Sequence, residues 1–131
     1  MKKMRVAIIG CGMIANSAHF PALNILREKG EVEVVGVADI RREAAEETAN
    51  RHHVEKWYLD PQQMLDELKP DFVAVCTPNN YHKEWTIKAL EAGAHVACEK
   101  PMALSLKDAE EIWNTAKKCG KNVFPCQCMR W

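Results

Sequence analysis

The chain has 131 residues, 47% of them apolar, and its 18 basic residues balance 18 acidic ones. That is enough for one domain with a proper core and not for two. The even charge leaves no basic stripe for nucleic acid or an anionic membrane. No apolar run approaches the roughly 20 residues of a membrane span.

Lys2, Lys3 and Arg5 ahead of residues 6–9 imitate a signal peptide, and Ile8-Ile9-Gly10-Cys11 imitates a lipoprotein cleavage site. The apolar run stops at glycine, short of the roughly 7–15 residues of a signal core. Six cysteines are many for this length. Cys76, Cys98 and Cys126 fall in apolar runs that read as buried strands, where a free thiol behaves as a small hydrophobe. Cys126 and Cys128 are two apart, on one face of a strand. No paired C-x-x-C spacing points to zinc, so the expectation is reduced thiols and a cytoplasmic protein with no metal.

In chain order, residues 5–9 form a short β-branched run, and residues 13–29 a helical stretch interrupted by Pro21 and closed by Gly30. Residues 32–38 are a second strand ending in Asp39. Residues 41–52, RREAAEETANRH, are rich in helix formers. Asp60-Pro61 opens a short helix, residues 72–76 make a third strand, and Pro78-Asn79-Asn80 is a turn. Residues 85–92 are helical and stop at Gly93; residues 96–98 are a strand. A helix over 105–119 starts on Ser105 and closes at Gly120, and residues 122–126 are the last strand. Short apolar strands alternating with helices predict βαβ units and a doubly wound, mostly parallel sheet: the α/β Rossmann dinucleotide-binding fold over residues 1–131. Ligands of such sheets sit at the carboxyl ends of the strands.

Gly10-Cys11-Gly12-Met13-Ile14-Ala15 follows the first strand and opens the first helix, in the pattern G-x-G-x-x-A. Gly10 suits the tight turn, Gly12 the approach of a pyrophosphate, and Ala15 the close packing of helix on strand. The amides of Met13 and Ile14 open the helix, whose positive end favours phosphate. Asp39, at the end of the second strand, is placed to accept hydrogen bonds from an adenosine ribose. Its alternative role is to cap the following helix. The acid favours NAD, since its charge repels a 2′-phosphate, while Arg41 keeps NADP possible.

Residues 95–105, HVACEKPMALS, end a strand on Glu99, Lys100 and Pro101. With Thr77-Pro78-Asn79-Asn80-Tyr81-His82 they fall beyond the switch point, on the nicotinamide side. Hydride transfer at a carbon bearing oxygen needs a proton moved on that oxygen. A lysine whose pKa is lowered by partial burial and a nicotinamide cation can move it. Pro101 restrains Lys100 and suits a cis bond. Surface charge on a loop is the plain alternative.

GCGMIA, CTPNNYHKEWTIKALEAG and HVACEKPMALS together resemble the glucose–fructose oxidoreductase / inositol dehydrogenase (Gfo/Idh/MocA) family of NAD(P)-dependent oxidoreductases, from about Arg5 to Trp131. The resemblance implies that Lys100 is the catalytic proton donor and acceptor and that Glu99 binds the nicotinamide ribose. It implies that Thr77, Pro78, Asn79 and His82 line the nicotinamide half of the site, and that the substrate is a sugar, polyol or related hydroxy compound. Cys128 stands where many relatives carry asparagine before an Arg-Phe or Arg-Tyr pair. The family continues into a substrate-binding domain that also makes homo-oligomers, and the sequence stops before it. The expectation is therefore a cofactor domain that is inactive alone. The competing reading is a non-catalytic nucleotide-binding module.

Overall fold

The computed structural model describes residues 2–126. Six strands form one sheet: β1 (Met4–Ile9), β2 (Val32–Ala38), β3 (Trp57–Tyr58), β4 (Phe72–Val75), β5 (His95–Glu99) and β6 (Val123–Cys126). Five helices cross between them: α1 (Phe20–Glu28), α2 (Arg42–Arg51), α3 (Pro61–Leu68), α4 (His82–Glu91) and α5 (Leu106–Cys119). The spatial order is β3-β2-β1-β4-β5-β6 and every pairing is parallel. Order reverses between β1 and β4, the switch point where such sheets bind ligands. This is the doubly wound architecture expected from the alternation of strands and helices.

Two apolar layers hold the sheet, one on each face. Ile9, Met64, Leu65, Val73, Leu90 and Ile112 belong to one, and Ile8, Phe20, Val34, Val37 and Ala74 to the other. Strands covered on both sides need apolar residues without alternation, which is why β1 and β4 read as continuous runs.

Three local features differ from the expectation. β3 is a strand that the sequence does not announce, because two residues carry too little pattern to register. It pairs Val37 with Trp57 and Ala38 with Tyr58, and the Arg42 guanidinium lies over the Trp57 ring at 5.3 Å. The first helical stretch is not uniform: Ala15–His19 forms a wider π turn before α1 begins. Pro21 has no N–H and its ring crowds the carbonyl four residues back, so the backbone upstream opens rather than continuing in α geometry. Cys126 is only half-buried, because β6 is an edge strand, whereas Cys76 and Cys98 are buried as expected. Pro125 sits in that edge strand, where a missing donor is tolerated. Cys128, Arg130 and Trp131 lie outside the described residues.

Helix ends follow their sequence signals. The Asp60 side chain accepts from the Gln62 amide at 2.9 Å, and Ser105 Oγ from the Asp108 amide at 3.1 Å. Gly120 closes α5 in the left-handed region. Among the described residues, no helix is long and apolar enough to cross a membrane.

Candidate cofactor site

β1 ends at Ile9 and the chain turns at Gly10, where φ is +98°. A Cβ there would meet the Cys76 carbonyl carbon and oxygen at 2.6 Å and the Thr77 nitrogen at 2.8 Å. Glycine is therefore demanded twice, by the backbone angle and by the end of β4 running alongside. Gly12 is the opposite case: nothing lies within 4 Å of an added Cβ. The open face of Gly12 borders the start of the helical segment, whose first hydrogen bond runs from the Asn16 amide to the Gly12 carbonyl at 3.2 Å. The amides of Met13 and Ile14 precede the first residue that such a bond can satisfy. Met13 is exposed, Ile14 is half-buried, and Ala15 is fully buried against the sheet.

Asp39 sits at the end of β2 with only 8% of its surface exposed. Its Oδ2 accepts from the Cys11 amide at 2.8 Å, and its Oδ1 from the Arg41 amide at 2.8 Å. The Arg41 Nε–H also points to Oδ1 at 3.3 Å. Asp39 is not the cap of α2. That position belongs to Arg41, whose side chain makes no capping bond. The acid instead ties the glycine loop to the end of β2. Burial, with the Asp39 charge as a second cause, pushes the Cys11 thiol up to about 12, so this thiol is inert despite its place in the loop.

A second brace was not visible in the sequence. Asn16 Nδ2 donates to the Gly12 carbonyl at 2.9 Å, to the Cys11 carbonyl at 3.3 Å and to Thr48 Oγ1 at 3.1 Å. Its Oδ1 pairs with His52 Nε2 at 2.9 Å, and the His52 ring stacks on Phe20 with centroids 3.8 Å apart. Asn16, Thr48 and His52 come from three separate places in the chain. The position of Asn16 just after the fingerprint was the single hint.

The cleft of about 390 Å³ above the switch point is lined by Gly10, Asp39, Ile40, Arg41, Thr77, Pro78, Tyr81 and Trp85, among others. It brings together three of the residues named from sequence on the acid side, Gly10, Asp39 and Arg41, and two from the far side, Thr77 and Pro78. Thr77 Oγ1 is buried with no hydrogen-bond partner. Thr77 and the buried Asp39 carboxylate line this cleft, and the open face of Gly12 lines the neighbouring opening with Met13 and Asn16, the two sharing Arg41; polar groups and open backbone on both sides of the glycine loop fit a dinucleotide.

The residues at the ends of β4 and β5 fall into two groups. Asn79 and Lys100 are exposed, and the Lys100–Pro101 peptide is cis. His82 is 1% exposed and does not face the cleft as a lining group. Its Nδ1 lies 2.7 Å from the Pro101 carbonyl and its Nε2 2.6 Å from the Thr77 carbonyl, so it clamps the two loops together. Glu99 is buried and its Oε1 lies 2.6 Å from His19 Nε2. His19 was not singled out from sequence, because a histidine in a helical stretch carries no motif.

Relatives of known activity and structure share this arrangement of chain. D-glucoside 3-dehydrogenase of Escherichia coli (strain K12) is 43% identical over 118 residues, 90% of this chain and 33% of that protein. The WlbA dehydrogenase of Chromobacterium violaceum, solved with NADH and UDP-GlcNAcA, superimposes with a TM-score of 0.87 at 35% identity, over 95% of this chain and 35% of its own. A 3-ketoreductase of Actinomadura kijaniata, solved with NADP and TDP-benzene, gives a TM-score of 0.84 at 31% identity, over 95% and 37%. The chain thus spans about a third of the length of the curated relatives it matches. The oxidoreductase family with an NAD-binding Rossmann fold (GFO_IDH_MocA) matches residues 4–126, and the chain belongs to that family as its nucleotide-binding domain.

Proposed function

We propose that this chain binds NAD and carries the proton-transfer lysine of an enzyme that moves hydride between NAD and a sugar, polyol or related hydroxy compound. The observation that carries this reading is the pair of openings that share Arg41 beside the glycine loop: one holds the open face of Gly12, the other the buried Asp39 and Thr77, whose hydroxyl has no partner. When bound, the nicotinamide supplies the hydride acceptor or donor.

The loop amides of Met13 and Ile14 hold the pyrophosphate at the positive end of the helix. Asp39 accepts from the adenosine ribose with the lone pairs left by Cys11 and Arg41. Ile40, Arg41 and Tyr81 border the same cleft and enclose the adenine. Thr77, Pro78 and Asn79 line the far side, and His82 fixes the spacing of their loop against Pro101. Glu99 accepts from the nicotinamide ribose. Lys100 exchanges a proton at Nζ with the substrate oxygen as hydride moves at the carbon. Relatives that act on sugars support the substrate class.

The preference for NAD over NADP is argued from charge: an Asp39 carboxylate accepting from the adenosine ribose would repel a 2′-phosphate, and Arg41 is drawn onto the acid itself. Solved neighbours hold either form, so the end of β2 makes the choice. Calorimetric titration should find NAD bound more tightly than NADP, and Asp39→Ala should narrow the gap. Equal affinity before mutation overturns the preference. No detectable binding of either overturns the cofactor reading. The buried free thiols Cys11, Cys76 and Cys98 support a reducing, cytoplasmic setting, and the complete enzyme is read as a homo-oligomer on family grounds.

A further inference from the structure

Three side chains far apart in sequence converge at the carboxyl end of the sheet. His19 comes from the π turn, Glu99 from the last position of β5, and Cys126 from the last position of β6. One imidazole nitrogen, one carboxylate oxygen and the Cys126 Sγ all lie within 4.8 Å of one another. Glu99 and Cys126 are register partners across the β5–β6 pair. Their side chains therefore leave the sheet on the same side. His19 closes the group from the π turn, its Nε2 already 2.6 Å from Glu99 Oε1.

We propose that His19, Glu99 and Cys126 form a binding site for a borderline-soft divalent cation of the zinc class. One nitrogen, one oxygen and one thiolate make a donor set that zinc accepts, with bonds of about 2.0–2.3 Å. Tetrahedral donors at those bond lengths stand roughly 3.3–3.7 Å apart. The observed cluster needs only side-chain rotation: the His19–Glu99 contact opens slightly and Cys126 Sγ closes in. Cys126 binds as thiolate and releases its proton to solvent. The thiolate disfavours magnesium and calcium, which take oxygen ligands. Three protein ligands leave a fourth position for water.

The sequence hides this site because no spacing links residues 19, 99 and 126. The site has a consequence that rests on the cofactor reading above: a cation on Glu99 withdraws the charge with which it accepts from the nicotinamide ribose, so zinc weakens NAD binding.

The test titrates the purified full chain with Co²⁺ in the absence of NAD, following the thiolate-to-cobalt charge-transfer band and the visible bands of tetrahedral cobalt. One equivalent should bind, and Zn²⁺ should displace it. Cys126→Ser should abolish the charge-transfer band, and His19→Gln should weaken binding by at least about tenfold. Cys119→Ser should change nothing, and circular dichroism checks that each variant is folded. Absence of the band in wild type, or its survival in Cys126→Ser, overturns the site. Glu99→Gln, which keeps shape and removes the charge, gives a second route: undiminished cobalt affinity in that variant overturns the donor set. NAD titrations with and without Zn²⁺ address this weakening separately. Unchanged NAD affinity while the cobalt band is present overturns the role of Glu99 in the cofactor site and leaves the metal site standing.

Discussion

At the ends of β1 and β2 the glycine loop is held from beneath. Asp39 takes the Cys11 amide, and Asn16 takes the Cys11 and Gly12 carbonyls with His52 behind it. At the ends of β4 and β5 only the base is held, through the His82 clamp, while Asn79, Asn80, Lys100 and Pro101 stand in solvent. One side is organised for a nucleotide before it arrives, so little ordering cost falls on binding. The other side presents its chemical group on a fixed base but leaves it wet. General acid–base work depends on positioning and on excluding water, so the role proposed for Lys100 requires substrate and an enclosing wall.

The sharpest way to separate the two sides is Lys100→Met in the active enzyme. Turnover should fall by about 10²–10⁴ while NAD affinity stays within a few-fold, because the lost group acts on the proton and not on the dinucleotide. Steady-state kinetics beside calorimetry checks this. Loss of NAD binding with no separate chemical defect returns Lys100 to a structural role.

On the braced side, the two glycines should fail differently. Gly10→Ala places a Cβ against the Cys76 carbonyl and strains a positive φ. It should cost about 3 kcal/mol or more of stability by denaturant unfolding. Gly12→Ala meets no protein atom, so stability should stay within about 1 kcal/mol while NAD affinity drops. Similar losses of stability in both would dissolve the distinction.

Asp39→Ala sharpens the comparison further. It removes the acceptor of the Cys11 amide as well as the proposed ribose contact. Unfolding should show a loss of about 1–3 kcal/mol beside the narrowed preference for NAD. A change in cofactor preference with full stability would mean that the loop holds itself without the acid.

The smallest effect concerns pH. Burial, then the charges of Arg51, Arg27 and His53, hold His52 below its ordinary value of 6.5. A base whose folded-state pKa is lowered takes up its proton more readily when unfolded. Its contribution to stability is therefore complete above about pH 6.5 and is lost as pH falls below it. Thermal unfolding should show a modest drop in Tm between about pH 7 and about pH 5, reduced in His52→Gln. An identical pH dependence in that variant would assign the effect to other groups.

Much of this molecule was decided locally. The strands β1, β2 and β4 are apolar runs because both faces of the sheet are covered, and that pattern survives in a linear reading. The fingerprint from Gly10 to Ala15, Asp39 at the end of β2, and Glu99-Lys100-Pro101 at the end of β5 were legible for the same reason. Each combines short-range turn or cap chemistry with a fixed place at a strand end. The sequence could not show the two-residue β3, which exists only because β2 offers it an edge. Nor could it show that His82 faces two carbonyls instead of the cleft. Residues 16, 48 and 52 brace the loop, and residues 19, 99 and 126 meet one another, because parallel strands and their crossovers return distant segments to the same end of the sheet. Periodicity records which face of an element is buried. Which groups meet across elements is set by register and crossover, and those exist only once the sheet has formed.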